Sequence, residues 1–162
     1  MTLVTGSGYR IADEPRPGAM EHLAVDPLWP FLAIMFGGAW LSWPWFVFNG
    51  FAVGSPTRQR EIGIALSGFA ATAVILFGLF YAVGVGWLPQ ESLPYALLAL
   101  TVTKLAITYW LHVLQSQTFE IYTFYGGVVR PGFVVLIAAY VLNQFMAPKL
   151  LQAAPLVLFW LR

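Results

Sequence analysis

The sequence contains no cysteine and very few charged residues. Without cysteine the chain forms no disulfide, carries no thiol nucleophile and offers no thiolate ligand to a metal or an iron–sulfur cluster. Only 9% of its 162 residues are charged, against roughly 25% in an average soluble protein. So few charges cannot cover the surface of a soluble monomer. The net charge of +1 and the lack of a lysine or arginine cluster give no basis for nucleic acid binding.

The chain contains long runs of residues without a charged side chain. The chain is 59% hydrophobic, and its mean hydropathy is +0.75. Residues 27–57 and residues 62–90 contain no charged side chain, and a transmembrane helix needs only about 20 apolar residues. The sequence therefore predicts an all-α integral membrane protein, with a flexible polar tail over residues 1–26 and a transmembrane domain over residues 27–162.

Four transmembrane helices, arranged as two hairpins, account for the apolar runs. They are predicted over residues 28–53, 61–87, 93–117 and 131–147. Pro44 predicts a kink inside the first helix, because proline removes one helical hydrogen bond. Residues 153–161 are apolar but too short to span a bilayer. They are predicted to form a short segment that lies in the interface or docks onto a partner.

The distribution of arginine predicts the orientation in the membrane. Arg58 and Arg60 follow the first predicted helix and Arg130 precedes the fourth, whereas the loop after the second helix has no basic residue. Loops on the cytoplasmic side are enriched in lysine and arginine. The pattern predicts a multi-pass protein with these arginines in the cytoplasm and both termini outside. The short loops and the lack of an organellar presequence favour a bacterial inner membrane.

The second predicted helix has one face made of small residues. Spacings of four and seven residues keep them on one side of the helix, and small residues let two helices approach closely in lipid. This predicts a helix-packing face whose partner is either another part of the chain or another subunit. The residues are Gly63, Ser67, Ala71, Gly78, Ala82 and Gly86.

A polar stripe on the third predicted helix is the best candidate for function. Lys104 is the only charged residue between Glu91 and Glu120, and an ammonium group at the bilayer centre costs about 2.5–3.5 kcal/mol. Five polar side chains fall within an arc of about 80° at 100° per residue. They are Thr101, Lys104, Thr108, His112 and Gln115.

Two interpretations of the stripe stay open. In the first it is a hydrogen-bonded contact between helices, and Lys104 bonds backbone carbonyls or a carboxylate. Because no acid lies in the interior of the other predicted spans, that carboxylate is expected from another chain. In the second interpretation the stripe is a pathway for a proton, an ion or an anionic ligand, with His112 titrating near neutral pH.

His112 also raises the question of haem or chlorin binding. A haem held between membrane helices needs a second axial ligand, and the only other histidine, His22, lies in the predicted tail. The sequence therefore disfavours such a cofactor, and it predicts no metal site. A second polar cluster is typical either of interface anchors or of a ligand site. It comprises Glu120, Tyr122, Tyr125 and Arg130.

The sequence carries no set of residues that indicates catalysis. It has no HExxH motif, no nucleophile–base pair and no paired carboxylates at helical spacing. The leading hypothesis is a non-catalytic accessory or scaffold subunit of a larger integral membrane complex, whose partners are the bilayer and other membrane subunits or a second copy. The alternative is a small homo-oligomeric transporter or channel, with the stripe around Lys104 and His112 lining its pathway.

Overall fold

The computed structural model describes residues 15–134, 136, 137, 140, 141 and 143–145. Within them the chain is helical, and its β-structure is limited to an isolated bridge between Val25 and Arg130. The prediction of an all-α fold is confirmed for this part of the chain. Two short 3-10 turns cover Glu21–Leu23 and Gln90–Ser92. The α-helices are α1 (Leu28–Gly37), α2 (Ala39–Val53), α3 (Arg58–Gly84) and α4 (Leu93–Phe124).

The two long helices, α3 and α4, form an antiparallel pair. Their 27 and 32 residues correspond to lengths of about 40 and 48 Å at 1.5 Å per residue. Glu61 meets Gln115 near one end of the pair, and Gly68 lies against Ile107 further along. By length and composition, both helices could cross a membrane. They correspond to the second and third predicted helices, although α4 continues seven residues beyond the predicted end at residue 117.

The prediction of one continuous helix over residues 28–53 is wrong. The chain reverses at Gly38, whose φ of 79° and ψ of −176° favour glycine strongly. The hydroxyl of Ser42 then donates to the carbonyl of Pro30 at 2.7 Å. The side-chain amide of Asn49 donates to the carbonyl of Val25 at 2.6 Å. Helices α1 and α2 therefore fold back on each other as an antiparallel hairpin.

This hairpin reduces the number of helices that are long enough to cross a membrane. Helices α1 and α2 have 10 and 15 residues, or lengths of about 15 and 22 Å, less than the roughly 30 Å of a hydrocarbon core. Pro44 lies within α2 without ending it. Among the described residues, two helices rather than four are long enough to span, so the four-span prediction is not confirmed.

The hairpin packs against one half of the α3–α4 pair. Trp43 and Phe46 of α2 are fully buried against Ala65 and Leu111. The indole N–H of Trp43 donates to the hydroxyl of Thr108 at 2.9 Å. A Cβ added to Gly68 would lie 3.0 Å from the Trp43 ring, so this glycine lets α3 approach the indole closely.

Both ends of the hairpin lie at the end of the bundle that carries Arg58, Arg60 and Arg130, which we call the arginine end. The N–H of Arg16 donates to the carbonyl of Gly54 at 3.1 Å, and the N–H of Arg130 donates to Ala24 at 2.9 Å. Residues 15–27 thus lie at the same end of the bundle as the arginines, whereas the four-span prediction placed them at the opposite end.

The remaining predictions concern the two termini. Within the predicted fourth helix over residues 131–147, residues 133, 134, 136, 137, 140, 141 and 143–145 are helical. This segment runs beside α1, because Gly132 lies against Trp29 and the side-chain amide of Asn143 donates to the carbonyl of Phe36 at 3.0 Å. Residues 1–14 of the predicted tail and the predicted C-terminal segment over residues 153–161 lie outside the described residues.

Candidate functional site

The buried face of α4 carries most of the predicted polar stripe. Lys104, Thr108 and Gln115 are buried and His112 is half-buried, whereas Thr101 is exposed and donates its hydroxyl to the carbonyl of Leu97. The structure therefore brings four of the five stripe residues to the interior and leaves Thr101 outside. Spacings of three and four residues define this face. Its residues are Leu100, Lys104, Thr108, Leu111, Gln115, Thr118, Phe119 and Tyr122.

Glu61, in the first turn of α3, is fully buried beside this stripe. Its Oε1 accepts hydrogen bonds from the hydroxyls of Ser55 at 2.7 Å and Thr57 at 2.8 Å. Its Oε2 accepts one from the side-chain amide of Gln115 at 2.6 Å, and that amide also donates to the carbonyl of Phe46. A buried carboxylate is costly unless its lone pairs are satisfied, and three neutral donors satisfy this one.

Glu61 was not predicted to be a buried site residue, because it is the first residue of the second predicted helix and not in the interior of a span. An acidic residue in the first turn of a helix is usually exposed, and it interacts favourably with the positive end of the helix dipole. A signal was nevertheless present. Thr57 precedes Glu61 by one helical turn, and Glu61 shares a face with Ala65, Gly68 and Thr72 at spacings of three and four. That face is the buried one.

Gly50 of α2 allows the close approach on which this arrangement depends. A Cβ added to Gly50 would lie 2.5 Å from Oε2 of Glu61. The carbonyl of Gly50 also accepts a hydrogen bond from the N–H of Ser55 at 2.8 Å, which holds the turn after α2. Backbone and side chains of the α2–α3 turn therefore fix the carboxylate from one side, while Gln115 binds it from the other.

Lys104 lies at a different level from Glu61. Glu61 is opposite Gln115, and eleven residues of α4 separate Lys104 from Gln115, or about 16 Å. A direct ion pair between Lys104 and Glu61 is therefore out of reach. Lys104 is only 5% exposed, and it interacts with a neighbouring group. Its carbonyl accepts the hydroxyl of Thr108 at 2.7 Å.

Two buried polar atoms lie between these charged residues. Nδ1 of His112 and Oε1 of Gln115 are buried and form no hydrogen bond with the described residues. The His112 ring packs on Phe31, with 5.2 Å between the ring centroids. A buried polar atom without a partner is uncommon and costly. We call this line of side chains the polar column, which comprises Lys104, Thr108, His112, Gln115, Glu61, Ser55, Thr57 and Thr118.

The predicted helix-packing residues lie away from this column. Gly63, Ser67, Ala71 and Gly78 are exposed, Ala82 is half-buried, and Gly86 follows the end of α3 in a positive-φ turn. A Cβ added to Gly63, Gly78 or Gly86 would meet nothing within 4 Å. The small-residue face, as we call these six residues, therefore makes no close contact at its glycines within the described part of the chain.

The predicted cluster at the end of α4 is divided by the fold. Tyr122 is buried and Tyr125 is exposed, and both line a cleft of about 290 Å³ that Glu21 also lines. Glu120 and Arg130 are exposed and do not line this cleft. His22, the second histidine, lies on the exposed turn Glu21–Leu23 and contacts the carbonyl of Ala19.

Comparison with known proteins assigns the chain to no family. It matches no protein-family model, no curated protein and no solved structure. A proposed function therefore rests on three features of the molecule: the polar column, the small-residue face and the arginine end.

Proposed function

We propose that the chain is a non-catalytic accessory or scaffold subunit of a larger integral membrane assembly in a cell inner membrane. The small-residue face carries the proposal. It runs along a helix long enough to span a bilayer, and it is turned away from the residues that α3 buries within the chain. In lipid, close packing between small residues is a main source of helix association. Such a face on an exposed side of α3 fits a partner helix.

The exposed surface of the long helices supports a membrane location. Leu66, Val74 and Phe77 are 64%, 71% and 62% exposed on α3, which is unfavourable in water but ordinary in lipid. Trp87 and Tyr95, both 76% exposed, lie at the end opposite the arginine end, and such aromatic residues are typical of a membrane interface. Because basic residues favour the cytoplasmic side, the arginine end is proposed to be cytoplasmic.

Two neighbouring alanines provide a matched test. Ala70 and Ala71 are both exposed on α3, but Ala71 belongs to the small-residue face, whereas Ala70 lies beside the bulky Leu66 and Phe77. We expect Ala71→Leu to release the partner chains that co-purify with wild-type protein in mild detergent, because the larger side chain holds the helices apart. Ala70→Leu should keep them. Size-exclusion chromatography with mass determination is the measurement.

The same experiment separates the alternatives. Foreign chains that co-purify with wild type and are lost only in Ala71→Leu support an accessory subunit. A discrete homo-oligomer without foreign chains would instead favour the transporter or channel. Equal behaviour of the two variants, with all partners retained, would show that the small-residue face packs against no other protein.

A homo-oligomeric transporter or channel is the second candidate, and the polar column favours it. Ionisable residues inside a membrane often mark ion or proton pathways, and this column places Lys104, His112 and Glu61 along one buried line. If the column conducts, Lys104→Met should leave assembly intact and abolish ion or proton flux into proteoliposomes. If it is structural, Lys104→Met should lower thermal stability, and Lys104→Gln should recover part of the loss because an amide still donates.

A further inference from the structure

An apolar groove of about 700 Å³ lies at the arginine end, between α2 and the chain that follows α4. Side chains of α2 form one wall, and the turn Glu21–Leu23 with its neighbours and the chain after residue 129 form the other. Three aromatic rings line it. The wall residues are Leu23, Val25, Trp40, Leu41, Pro44, Trp45, Phe48, Pro131 and Val134.

Among the described residues, Arg130 is the only charged one that lines the groove. Arg130 is exposed, and the hydrogen bond that fixes it within the described residues is made by its backbone N–H. Arg58 and Arg60, at the same end, lie over aromatic rings. The guanidinium of Arg58 is 5.8 Å from the Phe51 ring, and that of Arg60 is 5.9 Å from the Trp110 ring. Arg130 therefore supplies the positive charge of the groove.

The groove has a charged end and an apolar end. Arg130 pairs with Val25, and Val25 bonds to Asn49, so the charge lies at the level of residue 49 on α2. Leu41 and Trp40 lie eight and nine residues earlier, about 12–14 Å further along the helix. If the arginine end is at the membrane surface, the charge faces the headgroup region and the apolar wall continues toward the bilayer centre.

We infer that this groove binds an anionic phospholipid, with its phosphate at Arg130 and an acyl chain along Trp45 and Trp40. The inference rests on the membrane location in the proposed function. Arginine binds phosphate oxygens through a planar fork of donors, and basic pockets between helices on the cytoplasmic side hold lipid headgroups. The chain's own apolar C-terminal stretch is a poorer fit. Residues 146–162 carry Lys149 and Arg162 and no acid, so their charge repels Arg130.

The test compares two arginines of the same end in nanodiscs that contain equal amounts of phosphatidylglycerol and phosphatidylcholine. Native mass spectrometry of the released protein gives the ratio of the two lipids retained. Wild type should retain phosphatidylglycerol preferentially, and Arg130→Gln should lower that ratio about fivefold. Arg60→Gln should leave it unchanged. Arg130→Lys should keep part of the preference, because lysine still binds phosphate as a point charge.

Several outcomes would overturn the lipid site. They are no preference in wild type, a preference that survives Arg130→Gln, and an equal loss in Arg60→Gln. If deletion of residues 149–162 raises the amount of both lipids retained and Arg130→Gln has no effect, the groove belongs to the C-terminal stretch instead. A wild-type chain that does not enter nanodiscs contradicts the membrane location itself. Circular dichroism of each variant checks that its helices are intact.

Discussion

Single residues at the α2–α3 turn determine how a carboxylate is buried beside apolar helices. Glu61 accepts from Ser55, Thr57 and Gln115, and Gly50 leaves the room for its Oε2. The donors are neutral but the acceptor is a carboxylate, so each hydrogen bond is charge-assisted, and together they offset the loss of hydration. The arrangement ties α2, α3 and α4 together, with Gln115 also donating to the carbonyl of Phe46.

Removal of the Glu61 side chain should therefore destabilise the bundle. Glu61→Ala leaves two hydroxyls and an amide without their acceptor, so we expect the free energy of unfolding to fall by about 3 kcal/mol. Denaturant unfolding of the protein in detergent micelles is the measurement. Glu120→Ala is the control, because Glu120 is an exposed acid on α4, and its loss should change the free energy by less than about 0.5 kcal/mol. Equal stability of the two variants would contradict a structural role for Glu61.

Gly50 should tolerate no side chain. In Gly50→Ala the new Cβ would lie 2.5 Å from Oε2 of Glu61, so the carboxylate must move, and we expect a loss of about 1–3 kcal/mol. The loss should shrink in a Glu61→Ala background, where the clashing atom is gone. Gly78→Ala is the control, since its Cβ would meet nothing within 4 Å. A loss of the same size in both backgrounds would mean that the cost comes from the backbone.

At the scale of elements, the sequence predicted the two long helices better than the short ones. Residues 62–90 carry no charge, and the run around Lys104 carries only that one. Each run is longer than a membrane-spanning helix requires, and α3 and α4 form most of them. The buried polar face of α4 followed from helical periodicity. The stripe on α4 was predictable because polar residues are rare there and their spacing is regular.

The helical hairpin of α1 and α2 was not predictable in the same way. Both halves are apolar, so hydropathy joins them into a single span. The reversal depends on one backbone conformation at Gly38, which glycine permits and periodicity does not report. Burial of Glu61 was missed for a related reason, because one of its donors, Gln115, lies on α4, 54 residues further along the chain.

A side chain at Gly38 should open the hairpin. Its φ of 79° with ψ of −176° lies in a region that is nearly exclusive to glycine, so Gly38→Ala should cost about 1–3 kcal/mol. Gly84→Ala is the matched control, because Gly84 lies in α3 with nothing near its Cβ. The measurement is thermal unfolding of both variants in the same detergent. A midpoint for Gly38→Ala equal to that of wild type would show that residues 37–39 accept another conformation.

At the scale of the whole molecule, the hairpin determines which parts of the chain lie at the same end of the helix bundle. A continuous first helix would carry the chain across the bilayer before α3 begins. The hairpin instead returns it to the arginine end, where Arg16 meets Gly54 and Arg130 meets Ala24. Helix α3 then leaves this end and α4 comes back to it, so the turn Gln90–Ser92 lies at the opposite end of the two long helices.

This arrangement can be tested by labelling single cysteines, because the chain has none of its own. We expect Ala19→Cys and Gln59→Cys to react with a membrane-impermeant maleimide from the same side of a sealed vesicle, and Gln90→Cys from the other side. All three positions are exposed, so access depends on sidedness rather than on burial. Four spans would instead place Ala19 with Gln90, opposite Gln59. Labelling of all three positions from one side would contradict both topologies and the membrane-spanning role of α3 and α4, because the loop between these helices must lie across the bilayer from their other ends.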